Sequence, residues 1–321
     1  MRLYDLKRND LRPETSRIEA GVRPCCFLSG SVCALGGFDG VHIGHAAILR
    51  RAAETASEIG AVPAVWTFDT APGALSSASI STLSQRLRLF RENGMDFAVL
   101  ESFDEIRMMP ADEFVRTVLI GTMGCRVAVC GYNFTFGRGG EGHSADLCRL
   151  MRQYGGDAET VGEIRLKGDA VSSSRVRSLI SDGDVKTAAE LLGRPFTVEG
   201  EIIHGRHLGH TIGIPTCNQA LPDGVVTPKL GVYASEITVD GKTYPSVTNI
   251  GMRPTVADLP GGDSRPVAET HIISDGIPDM YGKTAVTSLL GFIREERKFS
   301  SVGELAAQMK KDSDVRMGGI K

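Results

Sequence analysis

Two histidines, His42 and His45, close a glycine-rich run at residues 36–45 that reads Gly-Gly-Phe-Asp-Gly-Val-His-Ile-Gly-His. A short apolar strand is predicted before this run and a helix after it, so free backbone amides and the helix dipole favour an anion here. A spacing of three puts both imidazoles on one helix face, where they can donate to phosphate oxygens as charge develops in nucleotidyl transfer. The alternative is a plain turn with two exposed histidines. The other loop positions expected at the phosphate are Gly37, Phe38 and Gly44.

Two further segments can complete such a site. Residues 172–177 read Ser-Ser-Ser-Arg-Val-Arg at a predicted helix start. Hydroxyl and guanidinium groups there make a second anion site, the opposite wall of one triphosphate site, although serines are also ordinary helix caps. The loop at residues 131–140 follows another predicted strand, and its Asn133 and Phe134 can hold a flat ring, with core packing of Phe134 as the alternative. The expected contacts of the first segment are Ser173, Ser174 and Arg177.

In the second half, a glycine-rich loop from Gly205 to Gly213 leads into the extended run Ile-Pro-Thr-Cys-Asn. Thr216 and Asn218 stand two apart, so on a strand they face the same side. A hydroxyl and an amide on one face can hold Mg²⁺ and phosphate oxygens, and the alternative is a polar strand edge. Residues 249–255 predict a turn with a cation beside a proline.

Glu269 stands in the run Val-Ala-Glu-Thr-His-Ile-Ile at residues 267–273. Strict alternation places Glu269 and His271 on one face of a strand and Thr270 on the other. A carboxylate in this position either forms a surface salt bridge or acts as a base. A base is what phosphorylation of a hydroxyl requires, because it accepts the proton as the oxygen attacks the γ-phosphate.

Strands and helices alternate through residues 1–193, which predicts a doubly wound α/β domain. The run Gly-Arg-Pro at residues 193–195 ends this pattern, and short strands separated by turns then predict a small β-barrel with one terminal helix over residues 194–321. The strands predicted in the first domain lie at residues 31–35, 62–68, 97–100 and 126–130, and its helices at 45–59, 82–90, 110–120, 172–181 and 184–192. In the second domain, strands are predicted at residues 197–204, 232–239, 244–250, 268–273 and 284–292, and the helix at 302–311.

Composition excludes several classes of protein. The 321 residues are 41% hydrophobic and 23% charged, which excludes a disordered or fibrous chain. A net charge of −3 gives no basic excess for nucleic-acid binding. No apolar stretch is long enough to span a bilayer, and the first residues lack the apolar core of a signal peptide. The 7 cysteines form no CxxC pair, so we expect free thiols in the cytoplasm.

These motifs resemble the bacterial bifunctional riboflavin kinase/FMN adenylyltransferases (FAD synthetases). In the first half the resemblance rests on the loop at residues 36–45, the loop at 131–140, and the Ser-Ser-Ser-Arg-Val-Arg segment followed by Leu-Leu-Gly-Arg-Pro at 191–195. It implies a Rossmann-like nucleotidyltransferase domain that transfers AMP from ATP to FMN. It also implies that His42 and His45 contact the ATP phosphates, that residues 173–177 close over them, and that Asn133 belongs to the active site.

The second half is similar to the riboflavin kinase module of this family. The motifs that carry this similarity follow in the family's order: Pro-Thr-Cys-Asn at residues 215–218, then 231–235, 249–255, 268–272, 279–282 and 292–299. The resemblance implies that Thr216 and Asn218 lie at Mg²⁺–ATP and that Glu269 is the base on the ribityl 5′-hydroxyl. It also implies a flavin or phosphate contact for Arg294. The implied partners are riboflavin, FMN, ATP and FAD, with no nucleic acid and no membrane.

Two departures from the family pattern leave alternatives open. Residues 68–72 read Phe-Asp-Thr-Ala-Pro and lack the histidine of the family's Phe-Asp/Glu-Pro-His-Pro run, and Gly37 stands where the family usually has asparagine. The first alternative is therefore a riboflavin kinase whose first domain has lost adenylyl transfer. The second is a non-catalytic flavin-binding regulatory or storage protein. A nucleotidyltransferase for another phosphate ester is permitted by the histidine loop alone, but the second half argues against it.

Overall fold

The computed structural model describes residues 1–7, 23–27, 29–69, 78–203, 216–252, 266–274 and 279–318. The chain divides into two compact units, Met1–Ser173 and Ser174–Lys321. The predicted domain boundary between residues 193 and 194 stays a prediction. Within the described residues, no helix is long and apolar enough to cross a bilayer.

Six strands of the first unit form one sheet in the order β1–β4–β3–β2–β5–β8, parallel throughout except for the pair of β1 and β4. The strands of this unit are β1 (Arg2–Asp5), β2 (Ser31–Leu35), β3 (Val62–Phe68), β4 (Phe97–Glu101), β5 (Cys125–Gly131), β6 (Thr135–Phe136), β7 (Gly142–His143), β8 (Asp157–Val161), β9 (Arg165–Leu166) and β10 (Asp169–Ala170). The four predicted strands are confirmed as β2 to β5, whereas the other six strands of this unit, among them β1 and β8 of the sheet, were not predicted. From β2 the chain passes to β3 on one side and later to β5 on the other. Open α/β sheets bind ligands at such a crevice, here at the carboxyl ends of β2 and β5.

Local signals set the ends of two helices beside this crevice. The helices of the first unit are α1 (Ile43–Ile59), α2 (Leu83–Glu92), α3 (Phe103–Ile106), α4 (Ala111–Glu113) and α5 (Ser144–Gln153). α1 has His42 as its N-cap and ends at Gly60, which adopts the left-handed conformation with a φ of 62°. α2 begins with a capping box, in which Thr82 and Gln85 exchange side chain–backbone hydrogen bonds.

The helix predicted over residues 110–120 is not a regular α-helix. A helix is present over the predicted range, but after α4 the segment Phe114–Thr122 winds as a π-helix. The wider turn is compatible with burying neighbouring apolar residues together against the core of the first unit. Long-range packing of this kind leaves no mark in local periodicity. The buried residues in this segment are Phe114, Val115, Val118, Leu119 and Thr122.

The second unit contains a six-stranded antiparallel sheet in the order β11–β16–β13–β14–β15–β12. Its elements are α6 (Ser173–Asp182), α7 (Val185–Leu192), β11 (Phe196–Glu201), β12 (Thr216–Ala220), β13 (Gly231–Val239), β14 (Lys242–Met252), β15 (Pro266–Ile272), β16 (Thr284–Arg294) and α8 (Val302–Met317). Ile203, just beyond β11, bridges to Asn218 of β12 with an N···O distance of 2.8 Å. The two outer strands therefore meet, which confirms the predicted small barrel.

The terminal helix is longer than predicted, and the interior of the barrel contains polar side chains. Ser301 is the N-cap of α8 and accepts a hydrogen bond from Glu304 N. Inside the barrel, four fully buried hydroxyl groups are linked by hydrogen bonds of 2.8 to 2.9 Å, so each has a partner and none carries an unpaired desolvation cost. These residues are Ser235, Ser246, Thr248 and Thr270.

Candidate functional site

The two histidines of the first unit form a stacked pair at the start of α1. Their ring centroids are 3.6 Å apart with 14° between the planes. His42 Nδ1 accepts a hydrogen bond from the His45 backbone N at 3.2 Å, so His42 caps the helix. A Cβ at Gly44 would lie 3.2 Å from His42 Nδ1, which explains why this position has no side chain. The structure therefore brings both predicted histidines to a helix N-terminus, where the dipole favours an anion.

The surroundings of His45 favour its neutral imidazole form. Burial, and then the electrostatic influence of His42, lowers the pKa of His45 well below its usual range. Its Nδ1 is shielded from solvent and has no hydrogen-bond partner within the described part of the chain. The ring also makes an edge contact with Phe38, at 5.3 Å between centroids. A neutral imidazole can donate a hydrogen bond to phosphate without the cost of burying a second charge.

A cavity of about 680 Å³ lies at the carboxyl ends of β2, β3 and β5. It is the crevice expected from the strand order, and five predicted site residues line it: Gly37, Phe38, His45, Asn133 and Phe134. The Phe134 ring stacks on Phe136 at 5.7 Å and also packs against the core of the first unit, while its contact with a flat ligand ring stays a prediction. An apolar cleft with a few polar groups is the usual form of a small-molecule site.

The serine and arginine segment is placed only in part. Ser173 Oγ donates to the Asp39 backbone O at 3.0 Å, so this serine lies against the glycine-rich loop. Ser174 and Arg177 belong to the second unit, and their approach to the phosphate stays a prediction. Gly205 and Gly213, together with the Thr-Ala-Pro run at residues 70–72, lie outside the described residues.

The second site lies on one face of β12 and β15. In their register Asn218 is opposite Glu269, and Thr216 is opposite His271, so these four side chains share a face. Thr216 Oγ1 donates to Glu269 Oε1 at 2.9 Å. Glu269 is exposed while Thr270 is fully buried, which confirms the predicted alternation. The structure thus joins the predicted base to the predicted metal and phosphate ligands.

A cavity of about 200 Å³ opens on this face, lined by Thr216, Glu269 and Arg294 among others. Arg294 Nε and Nη2 donate to both oxygens of Asp312 on α8, at 2.8 to 3.2 Å. The Asp312 side chain is only 4% exposed, against 22% for that of Arg294. The guanidinium therefore fastens α8 to β16 at the cavity, and its predicted contact with flavin or phosphate stays a prediction.

Asn249 and Glu296 are among the cavity residues that were not predicted from the sequence. Asn249 lies beside Glu269 in the register of β14 and β15, and Asn249 Nδ2 donates to Glu296 Oε1 at 3.0 Å. Both residues line the cavity. The run from residue 249 was interpreted as a turn, but residues 249–252 continue β14. Only the pairing of β14 with β15 reveals this neighbourhood, and local sequence does not encode that pairing.

Comparison with known protein families matches each half of the chain separately. A model described as FAD synthetase matches residues 27–175, and a model described as riboflavin kinase matches residues 192–317. The first range contains the histidine pair and the cavity beside it. The second range contains Thr216 and Glu269 and the cavity that these two residues line.

Individual relatives match nearly the whole chain. The bifunctional riboflavin kinase/FMN adenylyltransferase of Escherichia coli K12 is 35% identical over 290 residues, which cover 88% of this chain and 90% of the relative. The protein with the same name from Bacillus subtilis is 32% identical over 289 residues, with coverages of 88% and 90%. A crystal structure of a macrolide-efflux protein from Streptococcus pneumoniae aligns with a TM-score of 0.80 at 30% identity, covering 90% of this chain and 94% of that one.

Proposed function

The chain belongs to the bifunctional riboflavin kinase/FMN adenylyltransferase family, and we propose that it converts riboflavin to FMN in the second unit and FMN to FAD in the first. ATP is the co-substrate of both steps. One observation carries this proposal: each unit has its own cavity, lined by its own reactive side chains. Two separate ATP-dependent reactions require two such sites.

In the second unit, Glu269 is proposed as the base. The terminal ribityl hydroxyl of riboflavin attacks the γ-phosphorus of ATP, the bond to ADP breaks, and Glu269 accepts the hydroxyl proton. The Thr216 hydroxyl holds one carboxylate oxygen at 2.9 Å, which leaves the other available to the substrate. Gly205 and Gly213 are proposed to lie at the ATP phosphates and Arg294 at the flavin or its phosphate.

In the first unit, a phosphate oxygen of FMN attacks the α-phosphorus of ATP and pyrophosphate leaves. His42, His45 and the N-terminus of α1 stabilise charge on the reacting phosphate. Further phosphate contacts are proposed for the backbone of Gly37, Phe38 and Gly44. In the serine and arginine segment, the side chains of Ser173, Ser174 and Arg177 are proposed as phosphate contacts as well. Asn133 and Phe134, which both line the cavity, are proposed to hold the isoalloxazine ring.

The donor set of the second site fits Mg²⁺. Thr216 and Asn218 share a face with Glu269, and a hydroxyl, an amide oxygen and a carboxylate are ligands that this hard cation accepts. We propose that Thr216 and Asn218 hold the ion. When bound, Mg²⁺ neutralises charge on the ATP phosphates. We also propose a cytoplasmic location, where ATP is available and free thiols such as those of Cys33, Cys130 and Cys217 stay reduced.

The product profile tests this function. Purified protein is incubated with riboflavin, ATP and Mg²⁺, and in parallel with FMN, ATP and Mg²⁺, and the flavins are separated by chromatography. We expect FMN followed by FAD in the first reaction and FAD in the second. FMN without FAD would support a kinase whose first unit is inactive, and binding of riboflavin without any product would support a regulatory or storage protein.

A further inference from the structure

The loop that precedes the histidine pair has a strained backbone. Phe38, Gly40 and Val41 have φ values of 49°, 73° and 41°, which lie in the left-handed region. Two of these residues carry side chains, and Val41 is β-branched, so the conformation is costly for them. A Cβ at Gly40 would also lie 2.8 Å from Ile80 Cγ2. Such a backbone persists only where its surroundings hold it in place.

Hydrogen bonds with other segments hold residues 39 and 40 of the loop. The Ile80 backbone N donates to Asp39 Oδ1 at 2.8 Å, and the Gly40 backbone N donates to Ser81 Oγ at 3.2 Å. Ser173 Oγ donates to the Asp39 backbone O at 3.0 Å. These contacts hold residues 39 and 40, but none of them reaches the part of the loop that lines the cavity.

Arg86 of α2 holds that part. Its Nη1 donates to the Gly37 backbone O at 3.1 Å, and its Nη2 donates to the Asp69 backbone O at 2.5 Å. The residue is only 3% exposed. Burial lowers the pKa of Arg86, while the nearby Asp39 and Asp69 carboxylates act in the opposite direction. A buried guanidinium thus joins the loop after β2 to the loop after β3.

The geometry of the peptide bond transmits this contact to the cavity. Thr67 Oγ1 also donates to the Gly37 backbone O, at 3.2 Å, so two donors fix this carbonyl group. In a trans peptide the carbonyl and the following N–H point in opposite directions. Fixing the Gly37 carbonyl therefore fixes the Phe38 N–H on the side away from Arg86 and Thr67. Gly37 and Phe38 both line the cavity beside His45.

We propose that Arg86 is a positioning residue for adenylyl transfer, which holds the Gly37–Phe38 peptide in the orientation that the reacting phosphate requires. Arg86 does not line the cavity and acts through the loop. The planar fork of the guanidinium reaches two carbonyl oxygens at once, which a single ammonium group does not reproduce. The inference rests on the proposed formation of FAD in the first unit.

The test compares Arg86→Lys and Arg86→Gln with Arg91→Lys. Arg91 lies on the same helix but is exposed, so its variant makes the same chemical change without the buried contacts. We expect both Arg86 variants to lower kcat for FAD formation by about 10-fold to 100-fold while KM for FMN changes less than about twofold. Riboflavin phosphorylation, measured in the same samples, stays at the wild-type rate, and so do both activities of Arg91→Lys.

Each other outcome overturns the proposal. Unchanged kcat in Arg86→Lys shows that the fork is not required. A first unit that is unfolded at the assay temperature in both Arg86 variants, measured by fluorescence of the sole tryptophan, Trp66, shows that Arg86 acts only in folding. If the wild-type protein forms no FAD, the proposed adenylyl transfer itself is refuted. This outcome is distinct from the two above, because both of those require FAD formation by the wild-type protein.

Discussion

The two candidate sites differ in which parts of the polypeptide they expose to a ligand. In the first unit, a strained loop and a helix N-terminus present backbone groups. His42 and His45 lie at the start of that helix. In the second unit, Thr216, Asn218 and Glu269 project from one face of two paired strands. The first site depends on local backbone conformation, and the second on strand register. A substitution that leaves the sheet intact therefore affects the two sites differently.

The two sites also differ in their exposure to solvent. His45 is half-buried with a lowered pKa, whereas Glu269 is exposed at the rim of its cavity. Groups shielded from water interact more strongly with neighbouring charges. We therefore expect the rate of FAD formation at the first site to vary more with pH. We expect the rate of FMN formation at the second site to fall more when its one reactive group is removed. Since both activities belong to one chain, each serves as the internal control for the other.

The largest expected effect is the loss of FMN formation, without loss of FAD formation, when the proposed base is replaced. Glu269→Gln keeps an acceptor for Thr216 but removes the proton acceptor, so we expect FMN formation to fall by about 10² to 10⁴-fold. FAD formation from supplied FMN stays unchanged. The control is Glu201→Gln, an exposed position at the end of β11 in the same barrel. Initial rates of product formation from riboflavin and from FMN are measured by chromatography. If both rates fall together, or neither falls, Glu269 is not the base of the kinase reaction.

The converse change removes the histidines. His42→Asn and His45→Asn each remove an imidazole from the phosphate site, and we expect FAD formation to fall by about 10² to 10³-fold. FMN formation stays at the wild-type rate. His143→Asn is the control, since His143 is exposed at the start of α5 and asparagine is a good N-cap. Equal loss in the control and the site variants would show that the effect is not specific to the pair.

A third change concerns what holds the second site together. Asp312→Asn removes the charge that pairs with Arg294, and breaking this largely buried pair costs about 3 kcal/mol of unfolding free energy. We expect the second unit to unfold at lower urea, as measured by circular dichroism. The transition of the first unit, followed by Trp66 fluorescence, stays unchanged. Asp314→Asn, an exposed change on the same helix, leaves both transitions in place; equal destabilisation by both variants would contradict a special role for the pair.

The smallest expected effect concerns pH. An unfolded histidine has a pKa of about 6.5, and folding lowers that of His45, so below pH ~6.5 the unfolded chain binds the extra proton first. The contribution of His45 to stability is thus lost as pH falls from ~6.5 towards the folded pKa, at up to about 1.4 kcal/mol per pH unit. Urea unfolding followed by Trp66 fluorescence measures it as the difference between wild type and His45→Gln. A difference that does not vary with pH would be inconsistent with the lowered pKa.

Features encoded over a few residues could be predicted from the sequence. The capping box at Thr82, the helix stop at Gly60 and the alternation around Glu269 each depend on neighbours within one turn or one strand. The separation into an α/β half and a β-barrel half follows from the change in hydrophobic period near residue 193. The change of helix type at Phe114 could not be predicted, because the apolar spacing of the segment indicates a helix without giving its type.

The residue types, their spacing and the two fold classes were determined by the sequence alone, because periodicity and turn chemistry act locally. The tertiary structure decided which distant side chains meet. Arg86 reaches Gly37 across 49 positions, and Arg294 on β16 reaches Asp312 on α8 across 18, so each contact joins two separate segments of the fold. Strand register brings Asn249 beside Glu269 in the same way. Such contacts arise from the packing of whole elements, so only the assembled fold reveals how the chemical groups of each site are held.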